Sequence, residues 1–185
     1  MMHRRFKVKI SAGGAVLLAA LYFLLDTDEL AALLLAAVTH ELGHLAAIRL
    51  TGGKVRSLTA NITGAVIERD AQAGSLSELV CALSGPAAGL IWAALAAGTG
   101  SFLGLDMLLL SAGMSLVLSG FNLLPVLPLD GGRALECAVG RRATLLCSLV
   151  TAALVLLFGA ILAASGGGIA LLIAGGALMV QQAHL

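Results

Sequence analysis

The chain has 185 residues, of which 59% are hydrophobic and only 11% are charged, whereas an ordinary soluble domain is about 45–50% apolar and about 25% charged. Its 11 Lys and Arg and 10 Asp and Glu side chains are too few to cover a soluble globule, and its net charge of +1 offers no basic surface for phosphates. These totals exclude a soluble enzyme, a disordered chain and a nucleic-acid binder, and they predict an all-α polytopic membrane protein.

Six apolar runs predict six membrane spans, at about residues 10–25, 30–50, 79–98, 105–124, 144–164 and 169–180. A span needs about 20 apolar residues, so the first and the sixth runs are short. The first run follows a basic segment and resembles a signal peptide. However, Asp26 and Asp28 follow it without a small-residue cleavage site, so we interpret it as an uncleaved span.

The second run contains the sequence His-Glu-Leu-Gly-His at residues 40–44. Residues four apart share one face of a helix, so His40 and His44 can ligate one zinc ion. Glu41 adjoins a ligand and can act as general base toward a water molecule whose pKa the zinc lowers. Ionisable groups inside a span are costly and mark functional sites. The alternative is a hydrogen-bonded His–Glu cluster that holds helices together.

The polar interval 51–77 is rich in β-branched residues at 54–60 and 62–67, which predicts short strands, in a hairpin, at the inner membrane surface. We expect an extended substrate to add a strand to this edge, because a helical substrate would hide its carbonyl groups. A solvated inner loop is the alternative. Asn61 begins a glycosylation sequon, which we discount because the interval lies on the predicted inner side.

Small residues recur at helical spacing along the third and fourth runs. Gly85 and Gly89 form a GxxxG pair, and Ser111, Ser115 and Ser119 follow one another at intervals of four. Small side chains allow helices to approach closely, so we expect these two spans to pack tightly against their neighbours.

Two prolines, Pro125 and Pro128, follow the fourth run and break regular helix. Such backbone is tolerated at membrane depth only around a cavity. Two histidines leave zinc short of a third protein ligand, and Asp130 in this segment is our candidate. Alternatively, Asp130 caps a helix that begins at Gly131.

Asn122 is an uncharged amide deep in the fourth run. It can hydrogen-bond a substrate carbonyl or a developing oxyanion, or it can bond a neighbouring helix, and spacing does not distinguish these roles. The remaining histidines, His3 and His184, are terminal and make poor metal ligands.

All 11 bases fall on one side of the six-span layout. If the N-terminus is inside, the inside segments are 1–9, 49–77, 125–143 and 181–185. The outside loops then carry only acids, namely Asp26, Asp28, Glu29 and Asp106. The positive-inside rule therefore places both termini on the cytoplasmic side.

The motifs at 40–44 (HELGH) and 122–131 (NLLPVLPLDG) together resemble those of the site-2 protease family of intramembrane zinc metalloproteases. Gly85-Pro86 is similar to the family's Gly-Pro element. The resemblance covers about residues 30–140, which would be the catalytic core of a single domain spanning 1–185. It implies one zinc ion per chain and a set of site residues. In that set, His40, His44 and Asp130 are ligands, Glu41 is the base, and Asn122 assists substrate or oxyanion.

Residues 121–133, the six-span layout and the basic N-terminus look most like the bacterial sporulation branch, whose members cleave a membrane-associated pro-sigma factor. This likeness implies cleavage in or near the membrane-associated segment of a pro-sigma or anti-sigma factor. It also implies a bacterial cytoplasmic membrane or an internal membrane of a spore-forming cell. Gly89 stands where many relatives carry Asn, and no PDZ or CBS domain is recognised. We therefore expect regulation by partner membrane proteins.

Two other function classes use the same residues: a membrane metal transporter or sensor, and a scaffold for transmembrane partners. A transporter has no obvious need for Glu41, a carboxylate beside a ligand that is not itself a ligand. A scaffold needs neither zinc ligands nor a path for water. The sequence therefore favours the protease.

Overall fold

The computed structural model describes residues 7–61, 64–69 and 74–183, and these form seven helices and one small sheet. The expected all-α membrane fold with a short strand element is confirmed. In chain order the elements are β1 (Lys7–Ile10), α1 (Ala12–Leu24), α2 (Thr27–Leu50), β2 (Val55–Asn61), β3 (Gly64–Arg69), α3 (Ser75–Leu103), α4 (Asp106–Asn122), α5 (Asp130–Val139), α6 (Arg141–Ala164) and α7 (Ala170–Gln182).

Six of the helices, all but α5, coincide with the six apolar runs. Three of them, α2, α3 and α6, contain 24, 29 and 24 residues and are long and apolar enough to cross a membrane. Helices α1 and α7 have 13 residues each, about 20 Å of helix at 1.5 Å per residue. The expectation that the first and sixth spans are short is therefore confirmed.

Many large apolar side chains lie on the outside of the protein, and small ones fill much of its interior. Phe23, Leu50 and Phe102 are 84%, 88% and 88% exposed, whereas Ala32 and Ala36 are fully buried. A large exposed apolar surface is unfavourable in water and is favourable in contact with lipid. The burial pattern and the apolar helices therefore both indicate a membrane protein.

Helix α2, which carries the two histidines, begins at Thr27, three residues before its apolar run. The Glu29 carboxylate accepts a hydrogen bond from the backbone N–H of Asp26 at 3.1 Å, as in a capping box. At the other end, Gly52 adopts a positive φ of 79°, which favours glycine and turns the chain toward β2.

Helices α2, α3 and α4 pack against one another and form the centre of the bundle. The hydroxyl of Ser115 donates to the carbonyl of Gly89 at 2.9 Å, and a Cβ at Gly89 would overlap the Ser119 hydroxyl. The expected tight packing of the third and fourth spans is confirmed. Helices α6 and α7 pack as a pair, and α5 contacts both α3 and α6.

The sheet has the order β1-β2-β3, with β2 and β3 antiparallel and β1 parallel to β2. The expected hairpin is confirmed, although Ile62 and Thr63, which complete the sequon, lie outside the described residues. Strand β1 was not expected, because the basic residues around Lys9 were interpreted as the flank of the first span. Val55 and Ile67 pack against Ala47 and Ile48, near the end of α2, and against Cys81 in α3. The sheet therefore covers the end of α2 nearest to His44.

Candidate metal centre

His40 and His44 lie on one face of α2, as the spacing predicted, and are only 4% and 9% exposed. Their rings meet edge to face, with centroids 4.8 Å apart and planes at 77°. The two Nε2 atoms are 3.2 Å apart. Two imidazole nitrogens so close together inside an apolar bundle need a shared partner.

Asp130 brings a carboxylate to the same point. Its Oδ2 atom is 3.1 Å from Nε2 of His40 and 3.2 Å from Nε2 of His44. The alternative role for this residue, as a cap for a helix beginning at Gly131, is not observed. Helix α5 begins at Asp130 itself, Leu129 is the N-cap residue, and the Asp130 side chain faces the histidines.

The hydrogen bond at the far side of His44 fixes which of its ring nitrogens carries the proton. Nδ1 of His44 lies 2.7 Å from the carbonyl oxygen of Cys81, which can only accept a hydrogen bond. Nδ1 therefore donates, and in the neutral ring Nε2 presents its lone pair to His40 and Asp130. This is the usual way in which a second hydrogen bond orients a metal-binding histidine. Nδ1 of His40 has no hydrogen-bond partner among the described residues.

The three converging atoms fit a metal ion of the size and geometry of zinc. For bonds of about 2.0–2.1 Å, a tetrahedral site sets its ligand atoms about 3.3–3.4 Å apart. The three edges here are 3.1, 3.2 and 3.2 Å. Two imidazoles and one carboxylate are a donor set that zinc accepts, and all three residues are buried. The group could therefore hold a metal ion.

Glycines allow α3 and α5 to approach this group. A Cβ at Gly85 would lie 2.6 Å from Cε1 and 2.7 Å from Cδ2 of His44, and closer still to Nε2. Next to Asp130, a Cβ at Gly131 or Gly132 would collide with the backbone of residues 123–127. The sequence indicated Gly85 only as part of a GxxxG pair and a Gly-Pro element, and its contact with the His44 ring was not foreseen.

Glu41 follows His40 on α2 and is half-buried. It is not one of the three converging residues, and its carboxylate makes no hydrogen bond with the residues that the structure describes. Its role as general base stays a prediction.

Asn122 is the last residue of α4. Its Nδ2 atom donates to the carbonyl of Leu118 in the same helix at 3.0 Å. The interhelical bond that was one alternative is therefore not observed, and its role toward substrate stays a prediction. The terminal histidines, His3 and His184, lie outside the described residues.

The whole chain resembles a protein of known structure. It is similar to the site-2 protease from Methanocaldococcus jannaschii with a TM-score of 0.70 and 18% sequence identity, and the match covers 100% of this chain and 92% of that one. No protein-family model matches the sequence, and no curated protein matches it. The resemblance inferred from the motifs is thus confirmed at the level of the fold, while nothing distinguishes the sporulation branch. The chain has the fold of a site-2 protease.

Proposed function

We propose that this chain is an intramembrane zinc metalloprotease of the site-2 protease family. It would hydrolyse a peptide bond in or near the membrane-associated segment of a protein substrate. The observation that carries the proposal is the convergence of His40 Nε2, His44 Nε2 and Asp130 Oδ2 within 3.2 Å of one another, beside Glu41. The likeness of fold to a site-2 protease supports it.

His40, His44 and Asp130 would hold one Zn²⁺ per chain. Three protein ligands are typical of catalytic rather than structural zinc, because one position stays open for water or substrate. When bound, the ion supplies Lewis acidity toward the scissile carbonyl and lowers the pKa of water.

Glu41 would take a proton from the attacking water and later deliver it to the leaving amine. A carboxylate is suited to both steps because it can accept and then release a proton at one oxygen. A glutamine at this position would keep the shape of the side chain and lose the proton transfer. Replacing Glu41 by Gln therefore tests catalysis separately from metal binding.

Asn122 would donate a hydrogen bond to the substrate carbonyl oxygen. Its amide has two N–H groups, and the bond to the Leu118 carbonyl occupies one of them. The second N–H is left to stabilise the negative charge that develops on the substrate oxygen during attack.

We infer that the substrates are membrane-associated pro-sigma or anti-sigma factors, as the likeness to the sporulation branch implies. The enzyme would act in the bacterial cytoplasmic membrane or in an internal membrane of a spore-forming cell. Regulation would come from partner membrane proteins that control access of the substrate to the buried group.

The test replaces Glu41 by Gln and His44 by Ala in the full chain, purified and returned to lipid vesicles with membrane-associated pro-sigma or anti-sigma segments. E41Q should bind zinc as the unmodified chain does, while cleavage falls about 100-fold or more, the usual contribution of a general base. H44A should lose the zinc as well as the activity.

Full cleavage by E41Q would contradict the proposed role of Glu41. The alternative function, a metal transporter or sensor, predicts a different outcome in the same vesicles. In that case zinc would cross the bilayer, the flux would depend on His40 and His44, and no substrate would be cut.

A further inference from the structure

The segment 123–129, which connects α4 to α5, is irregular, and two residues at its centre are buried. Val126 and Leu127 are 0% and 5% exposed. The backbone N–H and C=O groups of these two buried residues cannot bond to water, so they must find partners within the protein. The question is which side chains supply them.

Both backbone groups of Leu127 are bonded by side chains from the α6–α7 pair. The hydroxyl of Ser148 in α6 accepts the Leu127 N–H at 3.0 Å and donates to the Pro125 carbonyl at 3.4 Å. The Nε2 amide of Gln182, the last residue of α7, donates to the Leu127 carbonyl. Ser148 is fully buried, so its hydroxyl exchanges no hydrogen bonds with solvent.

Apolar contacts at the same faces of α6 and α7 strengthen this hold. Val126 packs in a buried cluster with Ala152 and Leu178. Ala152 is four residues after Ser148, and Leu178 is four residues before Gln182, so each polar contact has an apolar one a turn away on the same face. Helices α6 and α7 therefore both contact Val126 and Leu127, through hydrogen bonds and apolar packing.

Backbone contacts connect Val126 and Leu127 to Asp130. The N–H of Leu129 bonds to the Val126 carbonyl at 2.8 Å, which closes a tight turn. Gly132, two residues beyond Asp130, packs directly on the backbone between Val126 and Leu127. A shift of Leu127 would therefore displace the start of α5 and the Asp130 carboxylate.

We propose that Ser148 and Gln182 are positioning residues for the metal centre. By fixing Leu127, they hold Asp130 Oδ2 at the 3.1–3.2 Å from the two histidines that a single ion requires. This inference rests on the proposed zinc site. It gives α6 and α7 a role in setting the affinity for zinc, although neither helix contributes one of the three ligands.

The test compares Gln182→Leu with Gln181→Leu in the full chain, purified in detergent. Leucine is close to glutamine in size and removes the amide donor. Gln181 is the matched control because it is adjacent on α7 and makes no side-chain hydrogen bond with the described residues. The measurements are the zinc dissociation constant, by competition with a chromogenic chelator, and the melting temperature of the zinc-free protein.

Q182L should weaken zinc binding 10- to 100-fold, the usual effect of removing a group that orients a ligand, while Q181L stays within twofold of the unmodified chain. Ser148→Ala should weaken zinc binding to a similar extent. The double variant should lose less than the two effects combined, because both side chains act on Leu127. A residue that only stabilised the bundle would lower the melting temperature and leave the dissociation constant unchanged.

Equal dissociation constants in Q182L and Q181L would overturn the inference, and an unchanged constant in Ser148→Ala would do the same if Q182L failed to fold. Absence of zinc binding by the unmodified chain would instead overturn the proposed function, and this inference with it. Zinc binding of equal strength in every variant would overturn this inference alone.

Discussion

At the scale of single residues, the ring of His44 is constrained on three sides. Its Nδ1–H donates a hydrogen bond to the Cys81 carbonyl, and its Nε2 faces His40 and Asp130. Gly85 lies against the ring. Only the absence of a side chain at Gly85 lets the imidazole reach its position. The glycine is therefore as much a part of the group as the residues that would bind the ion.

Replacing Gly85 by Ala should disrupt the metal centre. The new methyl group would fall within 2.7 Å of two ring carbons of His44, so the ring must move or α3 must separate from α2. Overpacking of this kind costs about 1–3 kcal/mol of folding stability. We expect G85A to weaken zinc binding tenfold or more, as displaced ligand supports do, and to lower cleavage in parallel.

Gly98→Ala is the matched control, since Gly98 lies on the same helix and a Cβ there would meet nothing within 4 Å. Alanine favours helix over glycine by about 0.5–1 kcal/mol, so G98A should melt at the same or a slightly higher temperature and bind zinc normally. Equal zinc affinity in G85A and G98A would contradict the assigned role of Gly85.

The sequence predicted which residues would meet at this group but not what orients them. His40 and His44 follow from helical spacing, and Asp130 follows from the broken segment and the family resemblance. The contact of Gly85 with His44 joins two helices, and that of Ser148 with Leu127 joins α6 to the irregular segment 123–129. They depend on how far one helix slides along another, which no single-helix pattern encodes.

At the scale of elements, hydropathy located all six apolar helices because each contains an apolar run, although α1 and α7 are shorter than the about 20 residues that a span needs. Two elements lie outside both these runs and the β-branched interval, and both are short. Strand β1 has 4 residues and is held by pairing with β2, some 50 residues away in sequence. Helix α5 has 10 residues and begins directly after the irregular segment, where its amphipathic pattern offered no apolar run.

The order of the sheet sharpens the hypothesis that substrate adds as a strand. Strand β2 is central, so β3 has a strand on one side only among those described, and its other edge can pair with an extended peptide. Val66 in β3 is 43% exposed, so changing its side chain disturbs little packing.

Val66→Pro should lower cleavage at least fivefold without changing zinc content, because proline removes the N–H that pairs Val66 with Thr59 of β2 and so distorts the strand that offers the edge. Val66→Thr is the control, since it keeps both the β-branched shape and the N–H. Rates of cleavage and zinc content are measured on the same preparations. Normal turnover by V66P would favour the alternative, a solvated inner loop.

At the scale of the whole molecule, the sheet, the candidate metal centre and the irregular segment lie at the same end of the bundle. The N–H of Ser11, which caps α1, bonds to the Ala60 carbonyl in β2 at 2.9 Å. At the same end, α7 terminates at Gln182 against Leu127. Helix α2 runs toward this end, so His44 is nearer to it than His40.

This end also carries the bases that the positive-inside rule assigns to the cytoplasm. Lys54 follows α2, and Arg141 and Arg142 begin α6. The opposite end carries the loop that joins α6 to α7. The orientation that this rule predicts would let water and the polar part of a substrate reach the candidate metal centre from the cytoplasm.

Cysteine labelling tests this orientation. In a chain whose three native cysteines are replaced by alanine, Lys54→Cys and Ser165→Cys place one exposed thiol at each end of the bundle. A membrane-impermeant maleimide should label S165C in intact cells, and K54C only after permeabilisation. Ser165→Cys leaves the charge unchanged, and Lys54→Cys leaves every other base in place, so neither should invert the protein. Labelling of K54C but not S165C in intact cells would reverse the orientation and place the opening of the metal centre outside the cytoplasm.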